Sequence, residues 1–292
     1  MAKSIRLINV DEIIDSNGNP WAPAGGGTVS VDYCLVGGGG GHMALSDTSG
    51  GGGGGGVKEG SVTMDFSSFP MLGIKVGGGG TLMGAESSIF YMNYTNPIGG
   101  GGQAGSQDRS AAGTGMGGGG GGGGAQTYTS GKNGSLGAGR GADAANPSGS
   151  TTGAGGGGGG AGGDAVGVNG GPGKTCTLNG EVYGGGGGAG VARNCTTHSA
   201  GGLGGSGGGG NGKKDGGGSG GAANTGGGAG GSGWDANGAS STGGSGVVII
   251  SYPDHLPDIK SMDSGVVHTG LDTSRAGFKT YKFTAGNGYI YW

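Results

Sequence analysis

The sequence predicts a mostly non-regular and β fold: a bundle, or sandwich, of polyglycine II helices capped by short antiparallel β-strands, with almost no α-helix. Three observations predict this class. Glycine supplies 93 of the 292 residues, the glycines form long uninterrupted blocks, and short β-branched segments run directly into several blocks. The blocks lack the strict G-X-Y period of collagen, so a different glycine helix is required.

The stretch from Gly99 to Gly246 contributes almost no apolar side chain to a core, and only 31% of the whole chain is hydrophobic. Glycine loses more backbone entropy on folding than any other residue, so this stretch folds only if dense backbone hydrogen bonding compensates. A polyglycine II helix has no internal hydrogen bonds, and all its N–H and C=O groups point towards neighbours. We therefore expect these residues to be ordered by bonds between adjacent glycine helices.

Strand patterns occur where glycine blocks begin or end. Alternating apolar residues mark Thr28–Val36, Ser61–Phe66 and Met71–Val76, and a β-branched run marks Gly246–Pro253. The second and third segments are predicted to form a strand pair. Because the bundle begins and ends on the same β-cap, the first and last segments are predicted to lie in one β-layer.

The C-terminal residues Phe278–Trp292 contain two aromatic-rich runs around Gly286, Asn287 and Gly288, which is typical of a β-hairpin. This hairpin pairs within its own chain or with a neighbouring chain, which leaves a homo-oligomer open. The predicted organisation has three parts: an N-terminal attachment segment (1–27), the glycine-rich domain (28–253) and the C-terminal hairpin segment (254–292). Phe90, Tyr91 and Tyr94 are expected to pack against the β-cap.

Charge and hydropathy exclude two classes of partner. The formal net charge is −3, which gives no field that attracts nucleic acid. No segment approaches the roughly 20 apolar residues of a membrane span, so we expect no membrane insertion and a chain made in a cytoplasm. The three cysteines are too few and too odd in number for a disulfide framework, and we expect them to be reduced.

Enzymatic and metal-dependent functions find little support. Gly173-Lys174-Thr175 resembles a phosphate-binding loop only superficially, because the required first glycine is Val168. Cys195 and His198, with Cys176 upstream, lack the ligand spacing of a zinc site. A fourth ligand would have to come from a distant histidine: His42, His255 or His268. We therefore predict a non-enzymatic protein without metal or cofactor.

Three stretches resemble the glycine-rich domains of bacteriophage tail proteins and tip adhesins: VDYCLVGGGGG at Val31–Gly41, the strand pair within Val57–Gly80, and GGSGVVIISYP at Gly243–Pro253. The resemblance implies a polyglycine II sandwich whose variable loops bind a host surface receptor, either an outer-membrane protein or a polysaccharide. The order departs from that family at the end, because GFKTYKFTAGNGYIYW follows the closing strand, whereas a similar stretch usually precedes the opening strand.

Aromatic, charged and polar residues in the turns between glycine blocks are the candidate receptor-binding residues, since exposed Tyr, Trp and Arg commonly anchor binding surfaces. The candidates are Tyr128, Arg140, Tyr183, Arg193, Asn194, Lys213, Lys214, Asp215, Trp234 and Asp235. We expect the 213–215 and 234–235 turns at one end of the bundle, and residues 128, 140, 183 and 193 at the other. The alternative is that all of them only cap helices and keep the turns soluble.

The leading hypothesis is a virion protein, a tail-fibre adhesin assembled in the host cytoplasm, that contacts a host receptor and other virion proteins. The alternative is a purely structural virion component, such as a fibre connector or capsid decoration, without receptor binding. Ice binding requires a flat, regular face of small residues, and the irregular charged turns argue against it.

Overall fold

The computed structural model describes residues 28–42, 48–66, 70–91, 98–99, 139–142, 153–234 and 240–292. These residues form twelve β-strands and no helix, as the predicted fold class requires, and hence no helix that could cross a membrane. The strands are β1 (Thr28–Val36), β2 (Val57–Asp65), β3 (Met71–Lys75), β4 (Ser87–Phe90), β5 (Ile98–Gly99), β6 (Lys174–Thr175), β7 (Val182–Tyr183), β8 (Val247–Pro253), β9 (Ser261–Met262), β10 (Val267–Asp272), β11 (Phe278–Ala285) and β12 (Asn287–Tyr291).

Two five-stranded antiparallel sheets form a β-sandwich, with strand orders β10-β11-β8-β1-β2 and β5-β4-β3-β12-β9. Their apolar side chains meet in one core, in which Ile250 and Phe283 of the first sheet and Leu72 and Ile290 of the second are fully buried. The prediction that the first and last strands of the glycine-rich domain share a layer is confirmed, because β1 pairs directly with β8.

The two predicted strand pairs are wrong as pairings, although their strands exist. Strands β2 and β3 lie in different sheets, and so do β11 and β12. Strand β11 pairs with β8 and β10, whereas β12 pairs with β3 and β9, all within one chain. Only Gly286 separates β11 from β12, and its positive φ of 115° redirects the chain from one sheet to the other. Crossing between sheets lets both runs place apolar side chains in the shared core.

Aromatic side chains fill the sandwich as expected. Tyr91 is buried in the core, and the ring of Phe90 lies edge-on to Tyr289 at a centroid separation of 5.3 Å. Tyr94 lies outside the described residues. At the C-terminus, Trp292 packs against Phe66 with 4.9 Å between ring centroids, so the last residue of the chain is part of the core.

Residues 184–192 form the central polyglycine II helix. Its N–H groups at every third position donate to the same neighbouring segment. The bonds run from Gly185 to Gly207, from Gly188 to Gly210 and from Val191 to Lys213, at 3.0, 2.9 and 3.0 Å. Repetition after three residues is the screw symmetry of this helix.

Six other segments surround the central helix. Three accept hydrogen bonds from its N–H groups, and three donate to its C=O groups. The acceptors are 49–52, 168–171 and 207–213, and the donors are 155–161, 202–205 and 228–231. A Cβ atom at Gly186 or Gly187 would overlap the carbonyl group of a neighbouring helix. Backbone bonds therefore order the described part of 99–246 as predicted, while the block Gly117–Gly124 lies outside the described residues.

The glycine bundle has two distinct ends. At the proximal end it joins the sandwich, because residues 37, 56 and 246 directly adjoin β1, β2 and β8, while residue 184 follows β7 of the separate β6–β7 hairpin. At the distal end, His42 bridges to Ser241, and Ser49 bonds to Ser232 through the backbone. A nine-residue helix with a rise of about 3.1 Å per residue separates the two ends by roughly 25 Å.

Candidate functional site

Three parallel segments carry candidate residues to the distal end. The central helix leads into Arg193 and Asn194, the segment 207–213 leads into Lys214 and Asp215, and the segment 226–233 leads into Trp234. The bonds that join Gly185 to Gly207 and Gly228 to Gly185, each repeated three residues later, make these segments parallel. Their ends therefore lie side by side, and the polar turns gather on one surface.

We call this surface the distal patch and define it by six residues: Arg193, Asn194, Lys213, Lys214, Asp215 and Trp234. Arg193 Nε donates to Asp215 Oδ1 at 3.1 Å, and the two side chains remain 55% and 50% exposed. A parallel backbone bridge joins Asp215 to Trp234. The backbone of the partly exposed Trp234 therefore lies beside that of Asp215, a member of the exposed ion pair.

Lys214 connects two turns of the patch through hydrogen bonds to backbone carbonyl oxygens. Its half-buried Nζ donates to the carbonyl oxygens of Cys195 at 2.9 Å and His198 at 3.0 Å, which ties the turn after the central helix to the neighbouring turn. Lys213 and Asn194 are exposed. Three cationic side chains and one carboxylate make the patch net positive, which favours an anionic binding partner.

Arg193 lies at the other end of the bundle from the one predicted. We expected it at the opposite end from the 213–215 turn, together with Arg140, but it pairs directly with Asp215. Arg140 lies near the proximal end. Its backbone N–H donates to Asp164 Oδ1 at 2.6 Å, and the backbone N–H of Gly139 donates to the carbonyl oxygen of Gly160. The sequence could not show this, because glycine blocks do not reveal which helices run parallel. The candidates Tyr128 and Asp235 lie outside the described residues.

Tyr183 is not an exposed turn residue, and its assignment to a receptor-binding surface is wrong. It is buried at the proximal end, in a cluster that includes Val36 and Val247. Its hydroxyl donates to Glu181 Oε2 at 2.6 Å. The pKa of Tyr183 is raised mainly by burial and to a smaller extent by this hydrogen bond. Its position in β7 directly before a glycine block matches the strand pattern of Val36, and that signal could have identified it as core.

Of the hypothetical zinc ligands, Cys195 and His198 lie together, but Cys176 and His42 lie elsewhere. Cys195 Sγ lies 3.2 Å from Thr197 Oγ1 and 3.9 Å from His198 Nδ1, at the distal end. Burial tends to raise the pKa of Cys195, but hydrogen bonds from Thr197 outweigh it and lower this pKa. Cys176 instead lies beside Cys34 at the proximal end. The imidazole of His42 is buried and hydrogen-bonded to the hydroxyls of Ser232 and Ser241.

One of three comparisons with known proteins identifies a family for this chain. No curated protein and no solved structure matches the chain. A family model described as a glycine-rich domain matches residues 17–253. The match includes β1, β8 and every glycine helix of the bundle, which is most of the chain. The chain therefore belongs to the glycine-rich domain family.

Proposed function

We propose that this chain is a bacteriophage tail-fibre adhesin that binds a host-cell surface receptor through the distal patch. The observation that carries the proposal is the convergence of three parallel polyglycine II helices on one net positive surface, where Arg193 and Asp215 are exposed and Trp234 is partly exposed. The assignment to a phage tail rests on the resemblance of the opening, internal and closing strand segments to phage tail proteins.

The bundle gives the patch the rigidity that efficient binding requires. Every segment leading to the patch is fixed by backbone hydrogen bonds to several neighbours, so the turns have little conformational entropy left to lose on binding. The helices depend on glycine and not on the turn sequences. Turn residues can therefore change with the receptor while the helices stay intact, as in other loop-based binding proteins.

The chemistry of the patch favours a receptor with acidic groups. Arg193 and Trp234 belong to the residue types that most often dominate binding energy, and Lys213 adds an exposed positive charge. An outer-membrane protein loop or an acidic surface polysaccharide offers suitable partners. In a virion assembled in the host cytoplasm, the distal end would face the host, while the sandwich end would face other virion proteins.

Binding of the purified full chain to a panel of intact Gram-negative bacteria tests the proposal. The test variant combines Arg193→Ala, Lys213→Ala, Asp215→Ala and Trp234→Ala. We expect the wild-type chain to bind some members of the panel and the variant to lose at least about tenfold in affinity, equivalent to about 1.4 kcal/mol. The matched control combines Lys58→Ala and Lys75→Ala, because both lysines are exposed on sandwich strands and should not affect adsorption.

One observation favours the second candidate function, a purely structural virion component. Arg193 and Lys214 already bind groups of their own chain, as expected if the turns only complete the bundle. Unchanged adsorption of the folded patch variant, or no binding to any member of the panel, would support this candidate and contradict the adhesin proposal.

A further inference from the structure

Two buried cysteines and a carboxylate meet where the sandwich joins the glycine bundle. Cys34 belongs to β1, Glu59 to β2, and Cys176 follows β6 directly. The two Sγ atoms and a carboxylate oxygen of Glu59 all lie within 4.8 Å of one another. Both cysteines are fully buried, whereas Glu59 is partly exposed. Among the described residues, this is the group whose ligand atoms are close enough to share one metal ion.

The separations are close to those of a tetrahedral metal site. Zinc lies about 2.3 Å from thiolate sulfur and about 2.0–2.2 Å from carboxylate oxygen, so neighbouring ligand atoms are roughly 3.5–3.8 Å apart. Contraction by about 1 Å at most would bring the three groups into this range. Two thiolates with one oxygen ligand form a donor set that suits a borderline-soft divalent cation, and a hard cation such as Mg²⁺ would be a poor occupant.

Neighbouring groups already hold the ligands in place. Glu59 Oε1 accepts hydrogen bonds from the backbone N–H and the hydroxyl of Thr177, both at 2.7 Å. The backbone N–H of Cys176 donates to the backbone carbonyl oxygen of Glu181 at 2.9 Å, within the hairpin formed by β6 and β7. Outer hydrogen bonds of this kind orient the ligands of metal sites.

We propose that Cys34, Cys176 and Glu59 bind one Zn²⁺ ion or a similar divalent cation, with water as the fourth ligand. The two thiols each release a proton when the ion binds, so affinity falls as pH falls. The ion would connect two strands of the sandwich to the β6–β7 hairpin, which leads directly into the central helix. Its role is structural: it fixes the central helix relative to the sandwich. The three ligands come from separate segments without a recognisable spacing, so sequence inspection alone does not reveal them.

Cobalt titration of the full chain under a phosphine reductant tests the site, because Co²⁺ replaces Zn²⁺ and has a visible spectrum. We expect one Co²⁺ per chain, with a thiolate-to-cobalt charge-transfer band and the intense visible bands of tetrahedral cobalt. Both should disappear on addition of Zn²⁺. Cys34→Ser and Cys176→Ser should abolish these bands, and Glu59→Gln should weaken binding by about tenfold or more. Cys195→Ser is the matched control, since its thiol lies at the distal end, and it should bind cobalt as the wild type does.

Several results would overturn the proposal. One is the absence of cobalt bands in the folded, reduced wild-type chain, whatever the variants do. Another is retention of the bands in Cys34→Ser or Cys176→Ser. Loss of the bands in Cys195→Ser would move the site to the distal turn and would also refute it. Because the wild-type measurement stands by itself, the proposal can be refuted even if the serine variants fail to fold.

Discussion

The sandwich and the glycine bundle offset the same entropic cost of folding in opposite ways. In the sandwich, large side chains such as Phe283 and Ile250 are fully buried and remove apolar surface from water. In the bundle, the central helix is surrounded by six segments and has almost no side chains, so the backbone supplies the contacts. One region is stabilised by side-chain volume, and the other depends on its absence.

The two regions should therefore respond inversely to substitution. A smaller side chain leaves a cavity in the sandwich, where neighbouring side chains relax only partially. A larger side chain separates helices in the bundle, where the obstacle is another backbone that has no alternative rotamer. The regions therefore need opposite mutations to be tested.

The largest effect is expected for Gly187→Val in the central helix. The added Cβ would overlap the carbonyl group of Ala229, so the neighbouring helices must separate. Overpacking costs about 1–3 kcal/mol or more, and each lost backbone hydrogen bond adds about 1 kcal/mol. Because whole domains are stable by only about 5–15 kcal/mol, we expect no folded bundle, measured by circular dichroism and by protease resistance.

Gly78→Val is the matched control for this prediction. Gly78 also lies in a glycine block, but a Cβ atom there meets no heavy atom within 4 Å. The variant should fold like the wild type. If both variants are equally stable, glycine is not a packing requirement of the bundle, and the contrast between the two regions fails.

A smaller but still large effect is expected for Phe283→Ala in the sandwich. Phe283 is fully buried on β11, between β8 and β10, and truncation of a buried Phe costs about 3–5 kcal/mol. Urea unfolding should show this loss as a lower midpoint with an unchanged slope. Leu271→Ala on β10 serves as control, because Leu271 is 43% exposed and its truncation should cost less than about 0.5 kcal/mol. Equal losses in both variants would contradict the assigned core.

The sequence located six of the twelve strands, β1, β2, β3, β8, β11 and β12, and it predicted that β1 and β8 share a layer. These two strands are recognisable because their β-branched runs directly adjoin glycine blocks. The other pairings were not predictable, because segments 67–70 and 286–288 have turn residues that are equally compatible with a hairpin and with a crossing between sheets. Local turn chemistry does not specify which sheet the next strand joins, and only the shared core decides it.

The candidate site was predictable in its residue types but not in its arrangement. Arg193, Lys213, Asp215 and Trp234 stand out as charged and aromatic residues among glycines. Their convergence depends on which helices run parallel, and glycine blocks have no side chains that could encode this register. Tyr183 was misassigned because its two-residue strand is too short for a recognisable alternation, which leaves its position directly before a glycine block as the one sequence signal for burial.

The smallest effect is expected at the junction of the two regions, where Lys282 of β11 meets Glu181 beside β7. Lys282 Nζ lies 2.6 Å from Glu181 Oε2 and 5.2 Å from the centre of the Tyr183 ring. Partial burial tends to raise the pKa of Glu181, but hydrogen bonds from Lys282 and Tyr183 outweigh it, and the pKa is lowered. Because the folded state binds this proton less readily than the unfolded chain, ionised Glu181 stabilises the fold.

This stabilisation is present above the unfolded-state pKa of about 4.3 and is lost as pH falls through the lower folded-state value. The Glu181 side chain is 54% exposed, so Lys282→Met should cost no more than about 1 kcal/mol at neutral pH. Urea unfolding of wild type and variant at neutral pH and at about pH 2 should show that this difference largely disappears in acid, where Glu181 is protonated in both states. Lys279→Met is the matched control for loss of a β11 lysine that does not pair with Glu181, since Lys279 binds Asp258 at 2.7 Å. A loss for Lys282→Met that is equally large in acid would mean that the ion pair with Glu181 does not stabilise the junction, and that the ammonium group above the Tyr183 ring does.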